Sequence, residues 1–275
     1  MKLAALAAAL LLVCGCPHGE TPRPSGPMPT VAEVVDRLNR ARDELHSFTG
    51  ESVMEYWLGG DRFKGDVLAM GETGAKVRIA ALSPAGGSTI AEMACDGSQF
   101  VSVNYQNNCV LTGPCTKQSI ATFFGIELTP DDFLHLALGT PPVISEPTGT
   151  VTWDGKAGVY RVKLTGREGT QTLAIAEHDH SWDVVETELV GPDGKLEWTV
   201  KNAAFGTASD PDGKDHRVPG KSRFTTPSNQ KADLTVEWRE RTVNLTIDSK
   251  KFTIAVPAGL PTCGQRAAPP KNPEK

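Results

Sequence analysis

The sequence lacks the features that indicate nucleic-acid binding, a polytopic membrane protein or a common enzyme class. It contains no run of five Lys or Arg and has a formal net charge of -5, so no basic surface for a phosphate backbone is expected. Its composition, 39% hydrophobic and 22% charged, is that of a globular domain. No G-x-S-x-G, H-E-x-x-H or G-x-G-x-x-G motif occurs. We therefore expect neither an enzyme nor a cofactor, and no nucleic-acid partner.

Metal ligands are also sparse. The stretch His178-Asp179-His180 could place two ligands on one face of a strand, but a metal site needs at least three, and we interpret the stretch as a polar turn. Asp131 and Asp132 follow a Thr-Pro helix start, where acids serve the helix dipole rather than acid-base chemistry. We predict no metal site.

The first sixteen residues have the anatomy of an export signal. Lys2 precedes an apolar run over residues 3–13 that would span only about 16 Å as a helix, too short to cross a bilayer. The next residues, Val13-Cys14-Gly15-Cys16, resemble the bacterial lipobox. This resemblance implies removal of residues 1–15 and attachment of lipid to Cys16; the alternative is an ordinary secretory signal with two incidental cysteines. Pro17, rather than Asp, follows Cys16, so we expect an anchor in the outer membrane, facing the periplasm.

Composition divides the rest of the chain into a linker, a domain and a tail. Residues 16–29 are rich in Pro, and the thirteen residues from Pro17 on would form an extended tether on the order of 40 Å long. Residues 264–275 contain mainly Pro, Ala and Lys, and we expect a disordered tail. Residues 30–263 between them are expected to fold as one domain and to act as a monomer.

The sequence pattern of the domain predicts a mainly β fold, in the α+β class. Thr30 and Glu33 form a capping box at the start of an amphipathic helix over residues 30–46. Roughly six strands follow before residue 113, a helical insert interrupts them, and five or six more strands follow, including segments at 243–247 and 252–256. We predict a single curved antiparallel sheet forming an unclosed half-barrel, covered by the N-terminal helix and a short helical lid.

The order of these elements resembles the LolA/LolB lipoprotein-localisation superfamily over residues 30–262. The resemblance rests on the capped helix before Ser47-Phe48-Thr49-Gly50, on the strands at 61–70 and 74–82, on the insert at 125–142 and on the segment 252–254 before Pro257. It implies an unclosed barrel whose insert helices form a lid over a hydrophobic cavity that accepts acyl chains such as palmitate.

Apolar side chains are dense in the insert, residues 118–138, so that segment is either buried or lines a cavity. Its candidate lipid-binding residues are Phe123, Phe124, Leu134 and Leu138. Ordinary core packing uses the same residue types.

One family feature is missing. In LolB an exposed Leu on a loop between strands takes part in delivering lipoproteins, whereas the comparable loop here, 83–88, has only Leu82 at its edge. We therefore keep two alternative functions. One is an anchored carrier of an acyl chain or lipoprotein lipid, and the other is an envelope interaction or stress-sensing module with a closed cavity.

Four cysteines remain in the exported domain, which predicts two disulfides. Three pairings are possible. Because only five residues separate Cys109 from Cys115, we favour that pair, and hence Cys95 with Cys263.

Overall fold

The computed structural model describes residues 20–58, 61–84, 86–124, 128–178, 181–227 and 233–263, with backbone only at 58, 61 and 122–124. The helices are α1 (Val31–Glu44), α2 (Lys117–Phe124) and α3 (Pro130–Ala137). The strands are β1 (Ser47–Leu58), β2 (Asp61–Glu72), β3 (Lys76–Leu82), β4 (Thr89–Asp96), β5 (Gln99–Asn104), β6 (Cys109–Pro114), β7 (Thr148–Asp154), β8 (Val159–Gly166), β9 (Gly169–His178), β10 (Ser181–Val190), β11 (Leu196–Ser209), β12 (Asp215–Thr225) and β13 (Asp233–Val243). A short 3₁₀ helix, Ser249–Phe252, follows β13.

All thirteen strands form one antiparallel sheet in the order β6-β5-β4-β3-β2-β1-β13-β12-β11-β10-β9-β8-β7. The first and last strands pair near its centre, from Phe48 opposite Val243 to Trp57 opposite Asp233. The two edge strands, β6 and β7, do not pair with each other, so the sheet is not closed. The prediction of a mainly β fold built on a single unclosed antiparallel sheet is confirmed.

Helix α1 begins with the predicted capping box. The Glu33 amide donates to Thr30 Oγ1 (3.2 Å), and the Thr30 amide donates to Glu33 Oε2 (2.7 Å). Val34 and Leu38, four residues apart and on one helical face, are buried. They pack in what we call the helix core, with Ile144 of the segment before β7 and with residues from β8, β9 and β10: Tyr160, Val162, Leu164, Leu173, Ile175 and Val184.

The insert helices lie on the same face of the sheet, here called the inner face. Phe133 and Leu134 of helix α3, and Leu138 directly after it, are buried in a second, larger cluster, the insert core. The sheet contributes alternating residues to this cluster, among them Phe48, Met54, Val67, Ala69, Val77, Ile79, Met93, Val200, Phe224, Leu234 and Val236.

After β13 the chain forms no further strand within the described residues, so the strands predicted at 243–247 and 252–256 are wrong. The segment instead crosses the outer face of the sheet, where Ile254 and Leu260 pack against Ala94 and Val103 of β4 and β5. An extended segment lying on a sheet face shows the same apolar alternation as a paired strand, which explains the error.

The predicted number of disulfides is confirmed, but the predicted pairing is wrong. Cys95 bonds to Cys115, and Cys109 bonds to Cys263, in place of Cys109–Cys115 and Cys95–Cys263. Cys109 opens the six-residue strand β6 and Cys115 follows its end, so about 20 Å of extended backbone separates them. A disulfide needs Cα atoms less than about 7 Å apart.

The Pro-rich linker is not free along its whole length. The Thr21 amide donates to the carbonyl of Gly155 (2.7 Å) in the β7–β8 turn, and Trp153 Nε1 donates to the carbonyl of Thr21 (3.1 Å). Met28 packs against the helix core. The expected tether of about 40 Å is therefore too long, because the chain is already attached to the domain at Thr21.

Candidate functional site

The apolar inner face of the sheet beneath α3 is the first candidate site. Leu134 is fully buried and Leu138 is 1% exposed, and both belong to the insert core. Phe133 lies over Phe224 of β12, with ring centroids 6.3 Å apart. Helix α3 thus contacts β2 and β3 on one side of the central β1–β13 pair and reaches β12 on the other side of that pair, all on the same face of the sheet.

Local sequence explains where α3 begins. Thr129 caps the helix by accepting the Asp132 amide (3.0 Å), and Pro130 occupies the first turn, where its missing N–H costs no hydrogen bond. The predicted start of this helix is confirmed.

Polar contacts hold both ends of α3. At its start, Asp131 accepts the Ala75 amide (2.8 Å) from the β2–β3 turn, and Asp132 pairs with Arg42 of α1 (3.2 Å). At its end, Arg241 of β13 donates from Nη1 to the carbonyl of Ala137 (2.9 Å) and from Nη2 to that of Pro219 (2.6 Å). These contacts connect α3 to α1, to the β2–β3 turn and to β13, whose Arg241 also binds β12.

Arg241 is a charged side chain buried at the end of α3. Burial lowers its pKa to about 9, and it stacks on Trp238 with its guanidinium carbon 4.9 Å from the ring centroid. Its Nε and the Nε1 of Trp238 are buried and have no partner among the described residues, as is also true of Arg42 Nη1. Within the described part of the chain, unpartnered donors therefore lie near both ends of α3.

Gly139 ends the helical insert in a conformation that favours glycine, with φ of +78°. A Cβ built there would lie 2.6 Å from Pro219 Cδ. The chain therefore needs glycine here to bring the end of α3 against β12.

His135 is buried on α3, where its Nδ1 lies 3.2 Å from Thr140 Oγ1. Burial lowers its pKa to about 4, the Arg42 cation acts in the same direction, and the Asp132 carboxylate opposes them. An unfolded histidine titrates near 6.5. The unfolded chain therefore binds more protons than the folded chain between these two values.

Stability should consequently fall as pH decreases from about 6.5 to about 4, by up to about 3 kcal/mol from His135 alone. His135→Asn keeps a polar atom near Thr140 but does not titrate in this range. Urea unfolding of both proteins at pH 7.5, 6, 5 and 4 measures the difference. A wild type and a variant with parallel pH profiles would contradict the assigned pKa.

The structure describes the side chains of two of the four lipid-binding candidates. Leu134 and Leu138 lie together on the inner side of α3 and are packed against the sheet. Phe123 and Phe124 belong to α2, but their side chains lie outside the described residues. Cys16 also lies outside them, as do Asp179 and His180.

A second feature, a cleft of about 510 Å³, lies between α1 and the adjoining ends of β10 and β12. Its lining is mixed: Leu38, Leu45, Val184 and Phe205 are apolar, whereas charged side chains lie both at the mouth and deeper, where His216 is buried and Arg217 is mostly buried. No sequence motif indicates this cleft, because its lining comes from five separate segments of the chain.

Among the residues that the structure describes, no group of three or more His, Cys, Asp or Glu could hold a metal ion. In the same part of the chain, none of the helices combines the length and apolar character needed to cross a bilayer.

Comparison with known proteins identifies the fold. The sequence matches no family model and no curated protein. Among solved structures, a LolA superfamily protein from Nitrosomonas europaea superposes with a TM-score of 0.52 at 9% identity, covering 82% of this chain and 98% of that one. The fold is LolA-like.

Two further structures agree with that assignment. A DUF1329 family protein from Desulfovibrio piger has a TM-score of 0.52 at 12% identity, covering 82% and 97% of the two chains. An outer membrane lipoprotein-sorting protein domain from Vibrio parahaemolyticus also reaches 0.52, at 11% identity, covering 80% and 94%. The resemblance inferred from sequence is thereby confirmed for the LolA-like fold.

Proposed function

We propose that this chain is a lipid-anchored protein of the bacterial cell envelope. Its LolA-like half-barrel would bind an acyl chain, or the lipid part of another lipoprotein, in lipoprotein or lipid sorting. The observation that carries this proposal is the apolar inner face covered by α3, with Leu134 and Leu138 buried against it. Phe123 and Phe124 of α2 would complete the lining. The membrane lipid at Cys16 and the bound acyl chain are its proposed partners, and the protein would act as a monomer without a cofactor or catalysis.

The energetics of such binding are favourable. Each buried methylene contributes about 0.8 kcal/mol, so ten methylenes of a palmitoyl chain would contribute roughly 8 kcal/mol before ordering costs. The chain would have to displace side chains of the insert from the inner face. The unpartnered donors Arg42 Nη1 and Arg241 Nε beside α3 suit the ester or carboxylate oxygens at the head of an acyl chain.

Leu134→Ala tests whether the acyl chain and α3 compete for the same space. We expect this variant to bind a dansyl-labelled fatty acid about tenfold more tightly than wild type, because the ligand no longer displaces the Leu134 side chain. Leu164→Ala is the matched control, since Leu164 is equally buried but lies in the helix core. Both variants should lose about 3 kcal/mol of stability.

Fluorescence titration measures the affinities, and urea unfolding confirms that both variants are folded. An affinity that changes equally in the two variants would place the ligand elsewhere. If the wild type binds no fatty acid, the proposed carrier function is refuted.

The second candidate function is an envelope interaction or stress-sensing module that carries no lipid. The contacts at both ends of α3, Asp131 with Ala75 and Arg241 with Ala137, favour it, because they close the insert onto the sheet. A folded wild type without bound lipid and without affinity for the probe would support this candidate.

A further inference from the structure

The docked linker fixes which end of the half-barrel lies nearest the N-terminal anchor. Thr21 is hydrogen-bonded to Gly155 and Trp153, at the β7–β8 turn. Because neighbouring strands are antiparallel, the β7–β8, β9–β10 and β11–β12 turns lie at one end of the sheet, which we call the anchor end. The β3–β4 loop and the β10–β11 turn lie at the opposite end.

Thr21 is five positions after Cys16, and five fully extended residues span at most about 18 Å. If Cys16 carries lipid, as proposed above, the anchor end must therefore lie within that distance of the bilayer. The inference below rests on this part of the proposed function.

The cleft beside α1 is situated at the anchor end. It lies among the start of β10, the β11–β12 turn, the start of β12 and the second half of α1. Two leucines of its lining belong to the two cores: Leu38 to the helix core and Leu45 to the insert core. The cleft therefore lies at the boundary between the two clusters.

The rim of the cleft is polar and carries both signs of charge. Arg40, Lys214 and Glu44 line its mouth, and the side chains of Arg40 and Lys214 are 68% and 62% exposed. The buried Nε1 of Trp182, in the wall, has no partner among the described residues. Charged side chains at the rim suit a zwitterionic headgroup, and the apolar part of the lining, Leu38, Leu45 and Val184, suits the methylenes of an acyl chain that passes them.

We propose that this cleft is the portal through which an acyl chain passes between the bilayer and the inner face of the half-barrel. The docked linker orients the portal toward the membrane. The cleft volume of about 510 Å³ lies within the range of about 300–1,000 Å³ typical of ligand sites.

The orientation is tested with the full lipidated chain in vesicles of phosphatidylcholine and phosphatidylethanolamine that carry a headgroup quencher. A fluorophore is attached at Lys156→Cys in the β7–β8 turn and, as controls at the opposite end, at Lys195→Cys or Ser88→Cys. We expect quenching at position 156 to exceed that at positions 195 and 88 at least threefold. Equal quenching, or stronger quenching at position 88, would overturn the orientation.

The portal is tested by blocking it. Ala41→Trp introduces a ring into the cleft wall, whereas Asn39→Trp adds the same ring on the exposed side of α1. We expect Ala41→Trp to slow transfer of the dansyl-labelled fatty acid from these vesicles about tenfold, and Asn39→Trp to leave the rate unchanged. Lys214→Trp, at the exposed rim, should also slow transfer. It provides a second test of the portal in case Ala41→Trp does not fold.

The outcomes separate the two proposals. Unchanged transfer rates in Ala41→Trp and Lys214→Trp, with the wild type binding fatty acid, would overturn the portal alone. A wild type that binds no fatty acid would overturn the carrier function together with the portal, while stronger quenching at position 156 would still support the orientation of the anchor end.

Discussion

Replacing both Cys109 and Cys263 with Ala should lower the free energy of unfolding by about 5 kcal/mol. The bond closes a sequence separation of 154 residues, and in the chain-entropy model stabilisation grows with the length of the closed loop. The same bond fixes the C-terminal segment that covers Ala94 and Val103 on the outer face. Denaturant unfolding under non-reducing conditions measures the loss.

Replacing Cys95 and Cys115 with Ala provides the comparison. This bond closes a separation of only 20 residues, so the expected loss is about 3 kcal/mol. Peptide mapping of the oxidised wild type should recover Cys109 linked to Cys263. Recovery of Cys109 linked to Cys115 would refute the assigned pairing, and a larger loss from the shorter loop would refute the ranking.

Cys16→Ala should move the protein from the membrane fraction to the soluble fraction or leave it as an uncleaved precursor. A single acyl chain binds membranes only marginally, whereas the three chains of a mature lipoprotein make dissociation negligible, so the change should be close to complete. Fractionation, together with intact mass measurement of the membrane form, gives the result.

Cys14→Ala is the matched control, because it removes the neighbouring thiol and leaves the proposed acceptor Cys16 in place. It should stay in the membrane with an unchanged lipid mass. The lipidation proposal is refuted if wild type carries no lipid mass and fractionates as Cys16→Ala does.

The parts of the fold that were predicted correctly depend on local chemistry. The Thr30–Glu33 capping box and the Thr129-Pro130 start of α3 each lie within four residues of sequence, and both form as expected. Two-residue alternation also identified the six strands before the insert.

Two of the features that were missed depend on contacts between distant segments. Arg241 and Ala137 are 104 residues apart, and no local signal indicates that a β13 arginine holds the end of α3. The prediction of the disulfide pairing was wrong for a related reason. Short separation along the sequence suggested Cys109 and Cys115 as partners, but the strand between them keeps them apart.

Native mass spectrometry of the protein purified without added lipid tests the central claim most directly. We predict that wild type retains a ligand of fatty-acyl mass, and that the ligand leaves as an intact lipid on collisional activation. Leu164→Ala should retain it as wild type does. A folded wild type, with both disulfides formed and only its own polypeptide and anchor mass, would contradict the proposal that the inner face of the half-barrel binds an acyl chain.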